Sequence, residues 1–226
     1  MKVLIIEDEE ELINSLRTFF KSEGHICETS SSFEEGMEKI NLYQYDCIIA
    51  DIGLGDGNGL DIVKELKGKR NNNTGVIIIS AKSSLEDKIT GLEIGADDYL
   101  TKPFHLSELN ARLKSVLRRR MFDGEQAIIF NEIKIAPDTM KVEVNGKPIV
   151  LTKKEYDLLI YFISNKTKIL PKETIVEHLW GDYISTSDSY DFLYTHVSNL
   201  RKKLMDNGGE DYIKTVYKIG YRFSGE

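Results

Sequence analysis

Over the first 120 residues, short apolar runs alternate with longer stretches whose apolar positions recur at helical spacing. The runs are VLII (3–6), ICET (26–29), CIIA (47–50), VIII (76–79) and YLT (99–101). The intervening stretches, near 9–23, 32–41, 59–70, 84–94 and 105–119, read as amphipathic helices. Short apolar runs separated by helices predict a parallel sheet covered on both faces. Five such repeats make one doubly wound α/β domain, 1–120.

Arg118-Arg119-Arg120 closes the last of these helices, where positive charge suits the dipole. A linker at 121–126, containing Asp123-Gly124, follows, and there the pattern changes. AIIF (127–130), IKIA (133–136), KVEV (141–144) and PIV (148–150) are short strands joined by turn signals at Pro137-Asp138 and Asn145-Gly146. That predicts an antiparallel meander. Three helices come next. The first, 153–164, is preceded by Thr152 with Glu155 three residues on, a capping-box pattern. The second opens at Pro171 and runs to Trp180. The third spans 189–205 and stops at Asn207-Gly208-Gly209. The strands YIKTVY and GYRF end a smaller α+β domain, 127–226.

Composition sets limits on function. The chain has 226 residues, 41% hydrophobic and 30% charged, which is ordinary globular composition with room for two modest domains. No apolar run approaches the ~20 residues that cross a bilayer. Val3 to Ile6 runs straight into Glu7-Asp8-Glu9-Glu10-Glu11, so it is no signal-peptide core. The expectation is a soluble, cytoplasmic protein with no membrane partner. Cys27 and Cys47 lie in strand-like segments without a CxxC or a nearby His pair, and read as buried free thiols. The net charge is −7, and neither half is net positive. Any nucleic-acid site must therefore be a local basic face.

The candidate chemistry lies at strand ends. Asp51 sits where the third strand stops, before a loop with Gly53, Gly55, Gly57 and Gly59. An Asp there is either a functional group at the rim or a cap for the next helix. Glu7-Asp8 ends the first strand, Ser80 the fourth and Lys102-Pro103 the fifth. Singly, each has a plain reading: first-turn acids, a helix cap, a surface lysine. Together, at four ends on one rim, they form a site. Three adjacent carboxylates repel one another, so the cluster implies a divalent cation. Hard oxygen ligands suit Mg²⁺, at about 2.0–2.1 Å. A hydroxyl and an ammonium beside them suit a transferring phosphoryl group.

VLIIEDE, DxxLxxGxG, SA and GADDYLTKPF make residues 1–120 resemble a two-component response-regulator receiver domain, with a flavodoxin-like fold. The resemblance implies that Asp51 is the phosphoacceptor and attacks the phosphohistidine of a sensor histidine kinase. It implies Asp8, Glu7 and Asp51 as metal ligands together with the backbone carbonyl of Gly53. Ser80 and Lys102 would bind phosphoryl oxygens, Ser80 and Tyr99 would form a switch pair, and Pro103 would follow a cis bond. The sequence departs from the family in the acceptor loop, with Gly53, Gly55 and Asn58 at unusual positions. Extra glycine predicts a looser loop. Lys88, Asp97, Asp98, Glu108 and Arg112 match the charged homodimer face of the OmpR/PhoB class, which pairs Lys88 with Glu108 and Asp98 with Arg112 across a two-fold axis. A local Glu108–Arg112 pair, i to i+4, is the alternative.

In the second domain, Leu193, Val197, Leu200 and Leu204 form an apolar stripe, opposite Asp191, Thr195, Ser198 and Lys202. LTKKEYDLLIYF, HVSNLRKKL and TVYKIGYRF resemble the winged helix-turn-helix output domain of the same class. That resemblance makes 189–205 a major-groove recognition helix on promoter DNA. Asp191, Thr195, Ser198, Asn199, Arg201, Lys202, Lys218 and Tyr221 are its candidate contacts, with a wing at Tyr217-Lys218. The Trp180–Asp188 loop falls where some relatives touch RNA polymerase. The family usually has Arg at position 191, Asp at 194, and Arg or Lys at 198 and 199. The resemblance thus implies a phosphorylation-controlled, dimeric, DNA-binding transcriptional regulator using Mg²⁺, and no turnover enzyme. Two alternatives stay open: a constitutive dimer independent of phosphorylation, and a phosphotransfer or protein-interaction module with weak DNA binding.

Overall fold

The computed structural model describes residues 1–69, 73–122, 127–137, 139–181 and 186–225, and the side chains of these apart from 121–122 and 186–189. The chain divides into two compact units, Met1–Gly124 and Glu125–Glu226.

The first unit runs β1 (Lys2–Ile6), α1 (Glu10–Ser22), β2 (Ile26–Ser30), α2 (Phe33–Leu42), β3 (Cys47–Asp51), β4 (Gly53–Leu54), β5 (Gly57–Asn58), α3 (Gly59–Gly68), β6 (Gly75–Ser80), α4 (Leu85–Glu93), β7 (Asp98–Thr101) and α5 (Leu106–Phe122). The main sheet is parallel, in the order β2-β1-β3-β6-β7. Its strands are buried on both faces, which is why they read as unbroken apolar runs. One core forms under α2 and α3 from residues such as Leu4, Ile48, Ile62 and Tyr99. The other forms under α1 and α5 from Val3, Ile49, Phe20 and Leu113. The strand order reverses between β1 and β3, and at that switch point a crevice opens beyond the carboxyl ends. Cys27 and Cys47 are free and buried, and burial pushes the Cys27 thiol up to about 12.

Helix boundaries follow local chemistry. Ser32, Asn58 and Ser84 accept from the first-turn amides of α2, α3 and α4. Helix α5 continues through Phe122, beyond the expected end at 119, and residues 123–126 of the expected linker lie outside the described residues.

The second unit begins with an antiparallel sheet, β11-β10-β9-β8, built from β8 (Ile128–Phe130), β9 (Ile133–Ala136), β10 (Lys141–Val144) and β11 (Lys147–Ile149). Asn145 and Gly146 both have positive φ (51° and 73°), the two-residue hairpin conformation that Asn-Gly favours. Then come α6 (Lys153–Ser164), β12 (Ile169–Pro171), α7 (Lys172–Trp180), α8 (Thr186–Asp206), β13 (Ile213–Val216) and β14 (Gly220–Phe223). Thr152 and Glu155 form the capping box that their spacing predicts. Leu193, Val197, Leu200 and Leu204 of α8 are buried, as the stripe requires. Strand β12 was not expected. It pairs antiparallel with β14, which makes the C-terminal hairpin a three-stranded sheet. Residues 182–185 of the loop compared with polymerase-contacting relatives lie outside the described residues, and α8 starts at Thr186.

Candidate functional site

The ends of β1, β3, β6 and β7 bring four polar groups to one rim. Register carries them there: Ile6 lies opposite Ala50, Asp51 opposite Ile79, and Ser80 opposite Thr101. Glu7 is fully buried and Asp51 nearly so, while Asp8 is exposed. Oxygens of these three acids lie within 4.8 Å of one another. The Lys102 ammonium reaches both Glu7 Oε2 and Asp51 Oδ2 at 2.6 Å. Burial pushes the Glu7 carboxyl above the ordinary carboxylate range, against the pull of Lys102. For Lys102, burial works the other way, but the bonds to Asp51 and Glu7 outweigh it and raise its proton affinity.

The set fits a hard divalent cation. Three carboxylates face one ammonium, which leaves negative charge uncompensated in a mostly buried place, and all the donors are oxygen. The Lys102–Pro103 bond is cis, and the Lys102 amide donates to the Ser80 carbonyl at 2.8 Å, which fixes the start of this loop on β6. Ser80 is buried, and its Oγ accepts from the Lys82 amide at 3.1 Å. The Tyr99 ring is turned into the core, with its hydroxyl donating to the Lys82 carbonyl at 2.9 Å. Ser80 and Tyr99 thus hold the same residue from two sides.

The acceptor loop is paired across itself. Strands β4 and β5 pair across it, and the Gly53 amide donates to Asp51 Oδ1 at 3.0 Å. A Cβ on Gly57 would lie 2.4 Å from the Phe33 ring, and one on Gly59 only 1.9 Å from the Asp51 carbonyl oxygen. These glycines permit close approach rather than freedom. Asp56 was not singled out from the sequence. Its carboxylate accepts from the Phe33 and Glu34 amides, at 2.7 and 3.1 Å, so it caps α2 from across the crevice and its pKa is lowered by those bonds. An Asp flanked by glycines was the available signal.

Of the residues expected on a dimer face, Arg112 closes inside one chain, on Asp98 at 2.9 and 3.0 Å and on Glu108 at 2.9 Å. Lys88 is half-buried on α4. Asp97 is likewise paired inside the chain. Its side chain is only 10% exposed and accepts from the Val76 amide (2.8 Å), Lys67 (3.3 Å) and Arg120 (2.5 Å), because the turn before β7 has backbone and side-chain donors on three sides.

In the second unit, Asp191, Thr195, Ser198, Asn199 and Lys202 form the exposed side of α8, and Lys218 is exposed at the wing with φ 61°. One expected contact is corrected, and another is paired within the chain. Tyr221 is 5% exposed, because β14 packs it edge-on against Phe162. Arg201 folds back, with Nε donating to Asp211 Oδ1 at 3.0 Å and Nη2 to the Ile213 carbonyl. The Asp211 carboxylate and the Ile213 carbonyl lie together within reach of the forked guanidinium donors. The first turn of α7 grips α8: Lys172 donates to the Tyr194 hydroxyl at 2.8 Å, and Tyr190 donates to Glu173 at 2.9 Å.

Residues 3–114 match the family described as response regulator receiver domain, and 146–223 match the transcriptional regulatory protein C-terminal family. The chain is 36% identical to the cell cycle response regulator CtrA of Brucella anthropi, over 98% of this chain and 94% of that protein. It is 37% identical to response regulator ArlR of Staphylococcus saprophyticus, over 97% of each. Among solved structures, a CheY-like receiver domain protein from Methanospirillum hungatei aligns with a TM-score of 0.51 at 26% identity, over 54% of this chain and 98% of that one. The two curated relatives match along nearly the whole chain, through both units. The protein belongs to the OmpR/PhoB class of two-component response regulators, with a receiver domain and a C-terminal DNA-binding domain that regulates transcription.

Proposed function

We propose that Asp51 is the phosphoacceptor and that its phosphorylation controls promoter binding by the second domain. The observation that carries this reading is the Lys102 ammonium held between Asp51 and Glu7 at 2.6 Å, inside a cluster of three acids. An Asp51 oxygen attacks the phosphorus of a phosphohistidine on the sensor kinase. The P–O bond forms as the P–N bond breaks, and the imidazole nitrogen leaves with the electron pair. Lys102 is close enough to turn from carboxylate to a phosphoryl oxygen, and the Ser80 hydroxyl can donate to another. Glu7, Asp8, Asp51 and the Gly53 carbonyl would hold Mg²⁺, which neutralises phosphoryl charge. The protein is a regulator that modifies itself rather than a turnover enzyme. No helix among the described residues is long and apolar enough to cross a membrane, which accords with action on cytoplasmic DNA.

Homodimerisation through α4, β7 and α5 belongs to the same proposal. There, Arg112 would exchange part of its contact within the chain for the same groups on a second copy, while Glu108 meets Lys88. The domain boundary proposed lies between 120 and 127, with DNA held by the exposed side of α8 and by Lys218.

The test is Asp51→Asn. An amide is no nucleophile, so acid-labile phosphate from acetyl phosphate with Mg²⁺ should vanish, and with it the phosphorylation-dependent gain in DNA affinity. Incorporation at the wild-type level sinks the assignment.

A further inference from the structure

Among the described residues, the exposed side of α8 carries one unpaired cation, Lys202, and no free arginine of the kind a recognition helix ordinarily uses for guanine. The commonest specific contact is a bidentate Arg or Lys on the guanine O6 and N7. Arg201 is the only arginine in α8, and its guanidinium is bound to Asp211 and the Ile213 carbonyl. Lys203 is bound to Glu155 at 2.7 Å. Among the described residues, Lys202 alone of the cations of α8 has no partner in the chain.

Beside Asp191 and Lys202, what remains exposed is apolar, hydroxyl and amide in character. Phe192, Thr195 and Asn199 are spaced i, i+3, i+7 and form one stripe. Phe192 is 56% exposed. Thr195 donates its hydroxyl to the Asp191 carbonyl at 2.9 Å, so its methyl and an oxygen that can only accept are left to meet a ligand. Asn199 is exposed, without a side-chain partner among the described residues. In the major groove, thymine offers a C5-methyl, read by apolar contact, and adenine offers N6–H₂ and N7, read by an Asn amide. Asp191, on the neighbouring stripe, can only accept, and so favours an amino group and opposes phosphate.

We infer that α8 recognises A·T pairs, with Thr195 and Phe192 against thymine methyls and Asn199 on adenine, in place of an arginine–guanine contact. The grip of Lys172 and Glu173 on Tyr194 and Tyr190 presents this stripe at a fixed angle, which reduces the ordering cost on binding. This inference rests on the proposed DNA-binding reading of the second domain.

The experiment uses the full chain treated with acetyl phosphate and Mg²⁺. Duplexes are selected from a randomised pool, and the winning site is remade with deoxyuridine in place of thymidine, which deletes only the methyl. Fluorescence anisotropy should show A·T-rich half-sites and a loss of about fourfold in affinity for each contacted methyl removed. Thr195→Ser, which keeps the hydroxyl, should bind thymine and uracil at its position alike. Asn199→Ala should relax the adenine preference at one position by about tenfold. Guanine-centred half-sites, or equal affinity of the wild type for thymine and uracil duplexes, overturn the inference while leaving DNA binding intact. Absence of binding to every duplex overturns the DNA-binding reading itself, and the inference with it.

Discussion

At Gly59 the first turn of α3 lies directly on the backbone of Asp51, with no space for even one carbon: a Cβ would sit 1.9 Å from the Asp51 carbonyl oxygen and 2.8 Å from its carbonyl carbon. Gly59→Ala must therefore push the helix off the strand end that carries the acceptor. We expect a loss of about 1–3 kcal/mol in the urea stability of the first unit, and slower phosphate uptake from acetyl phosphate. An alanine variant with wild-type stability would show that the helix shifts without strain. Residue-scale legibility divides along this line. Asp51, Glu7, Asp8, Ser80 and Lys102 could be picked out because each closes a strand, and strand ends are visible in the pattern. The tight packing of Gly57 and Gly59 could not be read, whereas a Cβ at Gly53 or Gly55 would meet nothing closer than 3.7 Å. Close approach belongs to two segments at once, and neither shows it alone. Tyr221 failed for the same reason, since a tyrosine near a groove reads as a contact until its packing partner is known.

Among elements, α6 and α8 are joined by one carboxylate. Glu155 receives the Thr152 amide at 2.7 Å and the Lys203 ammonium at 2.7 Å, while 2% exposed. Burial alone would raise its pKa, but the bonds from Lys203 and Thr152 leave it lowered. A carboxyl lowered in the folded state adds stability that is present above the ordinary carboxylate range and lost as the pH falls through its folded value. Glu155→Gln should cost about 1 kcal/mol at neutral pH, and the gap to the wild type should close in acid. Trp180, the single tryptophan, lies in this unit and reports its unfolding by fluorescence. A pH-independent gap would mean that Glu155 acts only as a cap. Elements with a period or a cap were readable at this scale: the βα repeats, the Asn-Gly hairpin and the capping box. Strand β12 was not, because three residues ending in Pro171 carry no period, and they become a strand only when β14 arrives beside them. The β4–β5 pair is shorter still.

Taken whole, this is an acidic chain, with a net charge of −7, that works on a polyanion. The two-unit plan was legible because the hydrophobic period changes abruptly after position 120; the balance of charge at the groove was not, because it depends on which cations the fold occupies. Arg201 turned onto Asp211 ties up one cation of α8, and Lys203 on Glu155 ties up another. Non-specific affinity for a duplex comes from counterions displaced by such charges. With few of them, the protein should leave random sequence quickly and cover little ground along the double helix before it departs. Its arrival at an operator should then depend on repeated encounters from solution. Lengthening the flanking DNA around a single site should leave the association rate nearly unchanged, whereas a regulator that slides would arrive faster.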